Sequence, residues 1–255
     1  LYEAARERVR CFVNAARADE IVFVRGTTEA INLVAASFGR AFLRAGDEIV
    51  VSAMEHHSNL VPWQMACEQA GAALRVVPID DDGEFQFEAF EQLIGPRTRL
   101  VAVTHVSNAL GTVTPVRRIV ERAHAAGVPV LLDGAQAIAH ARVDMQAIGC
   151  DFYAFSGHKL YAPMGIGVLY GKAEWLAKLP PYQGGGHMIR DVTFARTEYD
   201  APPCKYEAGT PNVEGAVGLL ADLAPGGVVA GACFDLVAGL GLVGEARRAA
   251  GDRIA

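Results

Sequence analysis

Seven short runs of this chain are apolar along nearly their whole length rather than at every second position: Glu20–Arg25, Glu48–Ser52, Leu74–Ile79, Arg99–Thr104, Val128–Leu132, Asp151–Phe155 and Gly167–Tyr170. A strand that is apolar on both sides must be covered on both faces, as in a mainly parallel sheet sandwiched between helices. Between these runs the apolar spacing changes to that of helices. The segments Leu1–Ala16, Thr28–Leu43, Leu60–Ala70, Phe85–Leu93 and Pro115–Ala126 carry it, with Val9, Phe12, Val13 and Ala16 on one side of the first. Thr114 precedes Pro115 as a helix cap, with the proline in the first turn. The alternation predicts an α/β fold, with a mainly parallel sheet covered by helices. The 255 residues allow one large domain or two small ones.

Composition narrows the partners. The chain is 51% hydrophobic and 20% charged, which argues against long disorder. Its formal charge of −6 and the lack of a basic stripe argue against nucleic acid. Successive cysteines (11, 67, 150, 204 and 233) stand 29 or more residues apart, so no zinc ribbon is encoded. Sparse and odd in number, they read as reduced thiols of a cytoplasmic protein. The most apolar stretch, Gly218–Gly244, is interrupted by Asp222, Pro225 and Asp235 and reads as packed rather than membrane-spanning. The chain opens on Leu1 inside one helical pattern and stops inside another, which is expected of a piece of a longer protein. Tyr182–Pro211 is a long irregular region, and such loops are usually functional.

Ligands of open α/β sheets bind beyond the carboxyl ends of the strands, so the polar residues just after each strand carry the chemistry. After Arg25 come Gly26, Thr27 and Thr28, either a helix capped by Thr27 or an anion site built from hydroxyls and helix N–H groups. Glu55, His56 and His57 follow the second run. Two surface histidines are one reading, and an imidazole that stacks on a flat ring or relays a proton is the other. His105, Ser107 and Asn108 follow the fourth; Asn108 is either a turn residue or a donor and acceptor at the sheet edge.

The sharpest signals come last. Asp133 ends a buried strand, where a carboxylate needs a cation, and a protonated pyridine nitrogen is one such partner. Gln136 can bond a substituent beside that nitrogen. Ser156, His158 and Lys159 follow the next strand. A lysine in a partly dry site has an available amine, as a Schiff-base lysine requires, and the other two can hold phosphate. Each residue also has a bland reading, with Asp133 as a cap and Lys159 as a solvated charge.

Together these residues describe a pyridoxal 5'-phosphate cradle. The segments RGTTEAINLVA (25–35), MEHHSNLVPWQ (54–64), THVSNALGTVTP (104–115), LLDGAQA (131–137), DFYAFSGHKLYAPMGIGVLYG (151–171), GGGHMI (184–189) and YEAGTPN (206–212) resemble the class V aminotransferase family. Within it they resemble the group II cysteine desulfurases, also called selenocysteine lyases. The resemblance runs from Leu1 to about Glu214. It implies the large domain of the fold type I transferases, and a homodimer with shared sites.

The resemblance also implies roles. Lys159 is the Schiff-base lysine that then removes the Cα proton. Asp133 pairs with the pyridine nitrogen, Gln136 with the phenolic oxygen, and His56 stacks on the ring and moves protons. Thr27, Thr28, Ser156 and His158 hold the phosphate, and Asn108 orients the substrate. Thr210 reaches the phosphate of the neighbouring subunit, and GGGHMI overlies the site. The implied reaction turns L-cysteine, or L-selenocysteine, into L-alanine and passes sulfur as a persulfide toward an acceptor protein, as in iron–sulfur cluster assembly.

The family's nucleophilic cysteine and its carboxylate-binding arginine belong to a smaller C-terminal domain, so residues 1–255 are expected to be the cofactor-binding domain without it. Leu219–Gly231 is unusually rich in Gly and Ala before a family-like ACFDLVAGLGL (232–242). None of the five cysteines has the surroundings of that nucleophile; Cys11 and Cys233 lie in apolar helical stretches, and Cys204 is the most open. Another class V aminotransferase or lyase, and a non-catalytic remnant that only dimerises, remain as alternatives. A dinucleotide fingerprint is weak, because Gly165-x-Gly167 precedes a strand instead of following one.

Overall fold

The computed structural model describes residues 1–224. Cys233, the 232–242 segment, most of the Gly218–Gly244 stretch and the latter part of Leu219–Gly231 lie outside the described residues.

In chain order the helices are α1 (Tyr2–Phe12), α2 (Thr27–Phe42), α3 (Val61–Ala70), α4 (Phe87–Leu93), α5 (Val116–Ala125), α6 (Ala137–His140), α7 (Met145–Ile148), α8 (Ala173–Lys178) and α9 (Val213–Asp222). The strands are β1 (Ile21–Val24), β2 (Glu48–Ser52), β3 (Ala73–Val77), β4 (Thr98–Thr104), β5 (Val130–Asp133), β6 (Phe152–Ser156), β7 (Gly167–Gly171), β8 (Ile189–Val192) and β9 (Thr197–Tyr199). The first seven strands form one sheet in the order β1-β7-β6-β5-β4-β2-β3. β7 is antiparallel to both of its neighbours, β1 and β6, and the remaining pairs are parallel. All strands except β7 therefore point the same way, and their carboxyl ends share one edge of the sheet.

The apolar runs are explained by a core on each side of this sheet. Ile21, Phe23, Val101, Val103, Val130, Leu132, Tyr153 and Phe155 face one core, which receives α1, α5 and α9 through Ala5, Val9, Ile119, Val120, Ala216 and Leu219. Val22, Val24, Leu100, Ala102, Leu131, Phe152 and Ala154 face the other, filled by Ile31, Val34 and Phe38 of α2 and Trp63 of α3. A fully buried Phe or Leu adds about 1.5–3 kcal/mol, so these strands are held by their side chains as much as by the ladder. β3 departs from the expectation of double burial. It is one of the two edge strands, and Ala73, Arg75 and Val76 are exposed, whereas β1 at the other edge is buried throughout.

Two other local expectations are corrected. Pro115, not Thr114, occupies the cap position of α5, and the buried Thr114 hydroxyl has no partner among the described residues. The irregular Tyr182–Pro211 region contains the antiparallel hairpin β8–β9, with Phe194 exposed near its turn. Past the hairpin, buried Glu207 receives both guanidinium ends of Arg6, at 2.7 and 3.0 Å, together with the Tyr2 hydroxyl and the Phe23 N–H. This pair ties α1 and β1 to the segment leading into α9. No described helix is long and apolar enough to cross a membrane.

Candidate active site

The shared carboxyl edge of the sheet holds a cavity of about 290 Å³. Thr27 and Thr28 line it beyond β1, His56 and Ser58 beyond β2, and Thr104, Val106 and Asn108 at β4. Asp133, Ala135 and Gln136 line it at β5, and Ser156, His158 and Lys159 at β6. Nine of the ten residues to which the resemblance gives a role at the site thus meet in one place. The exception is Thr210, which is exposed and lines a second cavity of about 510 Å³ with Arg25, Glu29, Tyr182 and Asn212.

Register places Asp133 in the middle. It pairs with Thr104 of β4 on one side and Ala154 of β6 on the other. Its side chain is buried, accepts the Ala135 N–H at 2.9 Å and lies 3.5 Å from the Ser58 hydroxyl. Burial raises its pKa, against the opposing pull of that N–H, His56, Ser58 and Lys159. No salt bridge to Asp133 occurs among the described residues, so a buried carboxyl faces the cavity without a bonded cation. The bland reading also holds in part, since its bond to Ala135 is a local turn bond. Behind it, Gly134 lets the Tyr153 ring close in; a Cβ there would stand 1.9 Å from the ring. The Tyr153 hydroxyl meets His105 Nδ1 at 3.0 Å. Burial lowers the pKa of His105 to about 4.

The Gly26–Thr28 turn is not capped by Thr27. Gly26 occupies the cap position without a side-chain bond, and Thr27 is the first helical residue. Its N–H donates to Ser156 Oγ at 2.9 Å, and the two hydroxyls lie 2.8 Å apart. A Cβ at Gly26 would stand 3.0 Å from Ser156 Oγ, so the absence of a side chain lets the two segments meet. The first-turn N–H groups of α2 lack helical acceptors and carry the positive end of its dipole, a setting for an anion.

His56 is exposed and caps the 3-10 turn His57–Asn59, its Nδ1 accepting the Ser58 N–H at 3.1 Å and lying 2.8 Å from the Ser58 hydroxyl. His57 does not line the cavity. Lys159 is exposed, so the dry surroundings expected of it are not present in the chain on its own. Ser58, which links His56 to Asp133, was not singled out in the sequence. A serine two residues after a histidine that follows a strand is the available signal, because such hydroxyls bond locally at turns.

Of the described cysteines, Cys67 and Cys150 are buried, Cys11 is exposed on α1 rather than packed in an apolar stretch, and Cys204 is half-buried. None lines the cavity, and burial raises the pKa values of Cys67, Cys150 and Cys204.

The residues present fit pyridoxal phosphate. A buried carboxyl without a bonded cation suits a pyridinium, a hydroxyl-rich helix start suits phosphate, and a lysine lines the same cavity.

A cysteine desulfurase of Dickeya dadantii (strain 3937) is 55% identical over 241 residues, covering 94% of this chain and 56% of its own length. One from Synechococcus elongatus is 57% identical over 222 residues, covering 87% of this chain and 36% of its own. The crystal structure of the cysteine desulfurase CsdA from Escherichia coli superposes with a TM-score of 0.85 at 48% identity, covering 87% of this chain and 56% of that one. The chain thus spans about half, or less, of the length of these relatives. The aminotransferase class-V model matches residues 1–224, and on that match, over a sheet whose carboxyl edge gathers these polar groups, the chain belongs to the aminotransferase class-V family.

Proposed function

We propose that this chain forms the pyridoxal phosphate-binding part of a cysteine desulfurase. The observation that carries the reading is the meeting of Asp133, Gln136, His56, Lys159 and the Thr27–Ser156 pair around one cavity at the carboxyl edge of the sheet. The similarity to cysteine desulfurases over most of the chain supports this reaction.

The bound cofactor supplies a ring that withdraws electrons from the substrate's Cα. Asp133 holds the proton of the ring nitrogen and keeps the ring cationic. Gln136 bonds the phenolic oxygen. Thr27, Thr28, Ser156 and His158 hold the phosphate, with the N-terminal dipole of α2 behind them. Lys159 Nζ would be the covalent attachment point and the base that takes the Cα proton of L-cysteine or L-selenocysteine. His56 stacks on the ring and shuttles a proton, and Asn108 orients the substrate. A thiol takes the sulfur as a persulfide and leaves L-alanine. The described cysteines do not supply that thiol at the cavity.

Thr210 serves a second copy of the chain in a homodimer. Its exposure, and its place outside the cavity of its own chain, support that reading. Sparse, odd-numbered cysteines suit a reducing compartment, which supports a cytoplasmic location. From there the sulfur passes to an acceptor protein.

Borohydride reduction after loading with pyridoxal phosphate, followed by peptide mass spectrometry, tests the assignment. A pyridoxyl adduct on Lys159 is expected, and its absence overturns the reading. Alanine release from L-cysteine, measured for this chain beside a longer form, tests whether the described residues suffice.

A further inference from the structure

Glu55 does not line the cavity, yet it is bonded from three directions just behind it. Its Oε1 accepts the Ser52 hydroxyl at the end of β2 and the Thr104 N–H at the end of β4, the latter at 2.9 Å. Its Oε2 accepts the Asn59 side-chain amide at 2.6 Å. Asn59 is fully buried and in turn accepts the indole N–H of Trp63 at 2.9 Å, anchoring the arrangement in the α3 core. The loop carrying His56 is therefore gripped on both sides, at Ser52 before it and at Asn59 after it, by one carboxyl. Thr104, the third donor, is the residue paired with Asp133 in the sheet register.

From the other side of the loop, His56 reaches Asp133 through Ser58, by contacts of 2.8 and 3.5 Å. Glu55 and Asp133 thus hold the same loop at two points, and both are fixed to β4: Glu55 by a hydrogen bond and Asp133 by strand pairing. Removing the Glu55 carboxyl leaves the buried Asn59 amide and the Thr104 N–H without an acceptor, which favours displacement of the loop.

We propose that Glu55 is a positioning residue: its carboxyl locks the loop to the ends of β2 and β4 and so sets where the His56 imidazole stands relative to Asp133. The inference deepens the proposed function and rests on it only where cofactor is concerned. Ser52, Thr104, Asn59 and Trp63 surround the carboxyl as non-titrating groups. The ionisable group acting on it across the sheet is Asp133, which itself faces His56 and Lys159. Burial, with the Asp133 charge adding and the three donors opposing, pushes Glu55 up to about 7. The lock therefore changes charge near neutral pH. A protonated carboxyl needs an acceptor, and the Ser52 hydroxyl is the member of the cage able to turn from donor to acceptor.

The test uses the full chain, free of cofactor, with isotope-labelled histidine, and the His56 resonance is assigned by its loss in His56→Ala. In the wild type the His56 shift is expected to report the titration of Glu55 as an inflection near pH 7. Glu55→Gln, which keeps the size of the side chain, is expected to lose that inflection. Glu55→Ala is expected to displace or broaden the resonance and to raise the dissociation constant for pyridoxal phosphate tenfold or more. A His56 pH profile in folded Glu55→Gln that matches the wild type, the inflection near pH 7 included, with cofactor affinity within twofold of wild type, overturns the proposal. Should Glu55→Ala not fold, Glu55→Gln decides. Should the wild type itself fail to bind pyridoxal phosphate, the proposed function falls, and the cofactor-free resonance still decides the role of Glu55.

Discussion

The hydroxyl of Ser156 accepts the backbone N–H of Thr27 at 2.9 Å, joining the end of β6 to the start of α2 across 129 residues of sequence. Both residues are buried, so neither group has water as a substitute. The contact fixes the helix terminus that the proposed phosphate site depends on.

Ser156→Ala leaves the Thr27 N–H buried and unpaired, at a cost of about 1–3 kcal/mol. The variant is expected to unfold at lower denaturant concentration and to bind pyridoxal phosphate tenfold or more weakly. Urea titration and fluorescence binding check the two effects. Unchanged affinity in a destabilised protein would show that the contact serves folding alone.

Asp133 gives a pH-dependent signature. Its pKa is raised in the folded chain, so the folded state holds the proton more tightly than the unfolded one. That contribution is complete below the ordinary Asp value of 3.8 and is lost as pH rises through the folded value. Cofactor-free Asp133→Asn is expected to lose less stability than wild type between pH 4 and pH 8. The same variant is expected to bind pyridoxal phosphate tenfold or more weakly. Denaturant titrations at the two pH values, run beside cofactor binding, distinguish a ligand-directed carboxyl from a structural one. Equal pH slopes in both proteins would refute the burial argument.

At Gly134 the prediction concerns packing. A Cβ there meets the buried Tyr153 ring at 1.9 Å, and the ring has no open side to move into. Gly134→Ala is expected to cost about 1–3 kcal/mol. That corresponds to a melting temperature lower by roughly 2–12 °C for a chain of this size. A calorimetric scan showing no shift would mean that the strand end yields freely.

For the Arg6–Glu207 pair, loss of one partner is worse than loss of both. Glu207→Ala leaves a guanidinium whose side chain is 2% exposed with only the exposed Glu3 carboxylate and the Ile21 carbonyl, at up to about 3–5 kcal/mol. The double variant Arg6→Met, Glu207→Leu is expected to recover most of that loss. Equal stability of the single and double variants in urea would contradict the buried-charge account.

Much of the fold was legible because the signal was physical and repeated. β2 was read at its exact bounds, since Glu48–Ser52 is apolar between polar ends, and every other sheet strand was found within two residues or so. Less legible were features set by distant partners. β3 resembles the central strands in sequence, but its place at the edge follows from the sheet order. The β8–β9 hairpin has neither an apolar run nor a tight-turn signature, and its strand Ile189–Val192 is largely exposed. α6 and α7 are too short to show periodicity.

The site divides in the same way. Residues that end strands, such as Asp133 and Ser156, were read from position and residue type. Residues that act through others were not. Ser58 and Glu55 carry their meaning in contacts to Asp133 and Thr104, which a local reading does not reveal. Lys159 was expected in dry surroundings, and in the single chain it is exposed.

The reversed strand β7 has one further effect. Its first residue, Gly167, sits opposite both Val24 and Ser156, where a Cβ would fall 2.4 Å from the Gly26 Cα. Inserted against the grain between two co-directional strands, it works as a spacer whose thickness at that point is a bare backbone. Any methyl group there would wedge the two halves of the proposed anion cradle apart, so its width is set by an atom that residue 167 does not have.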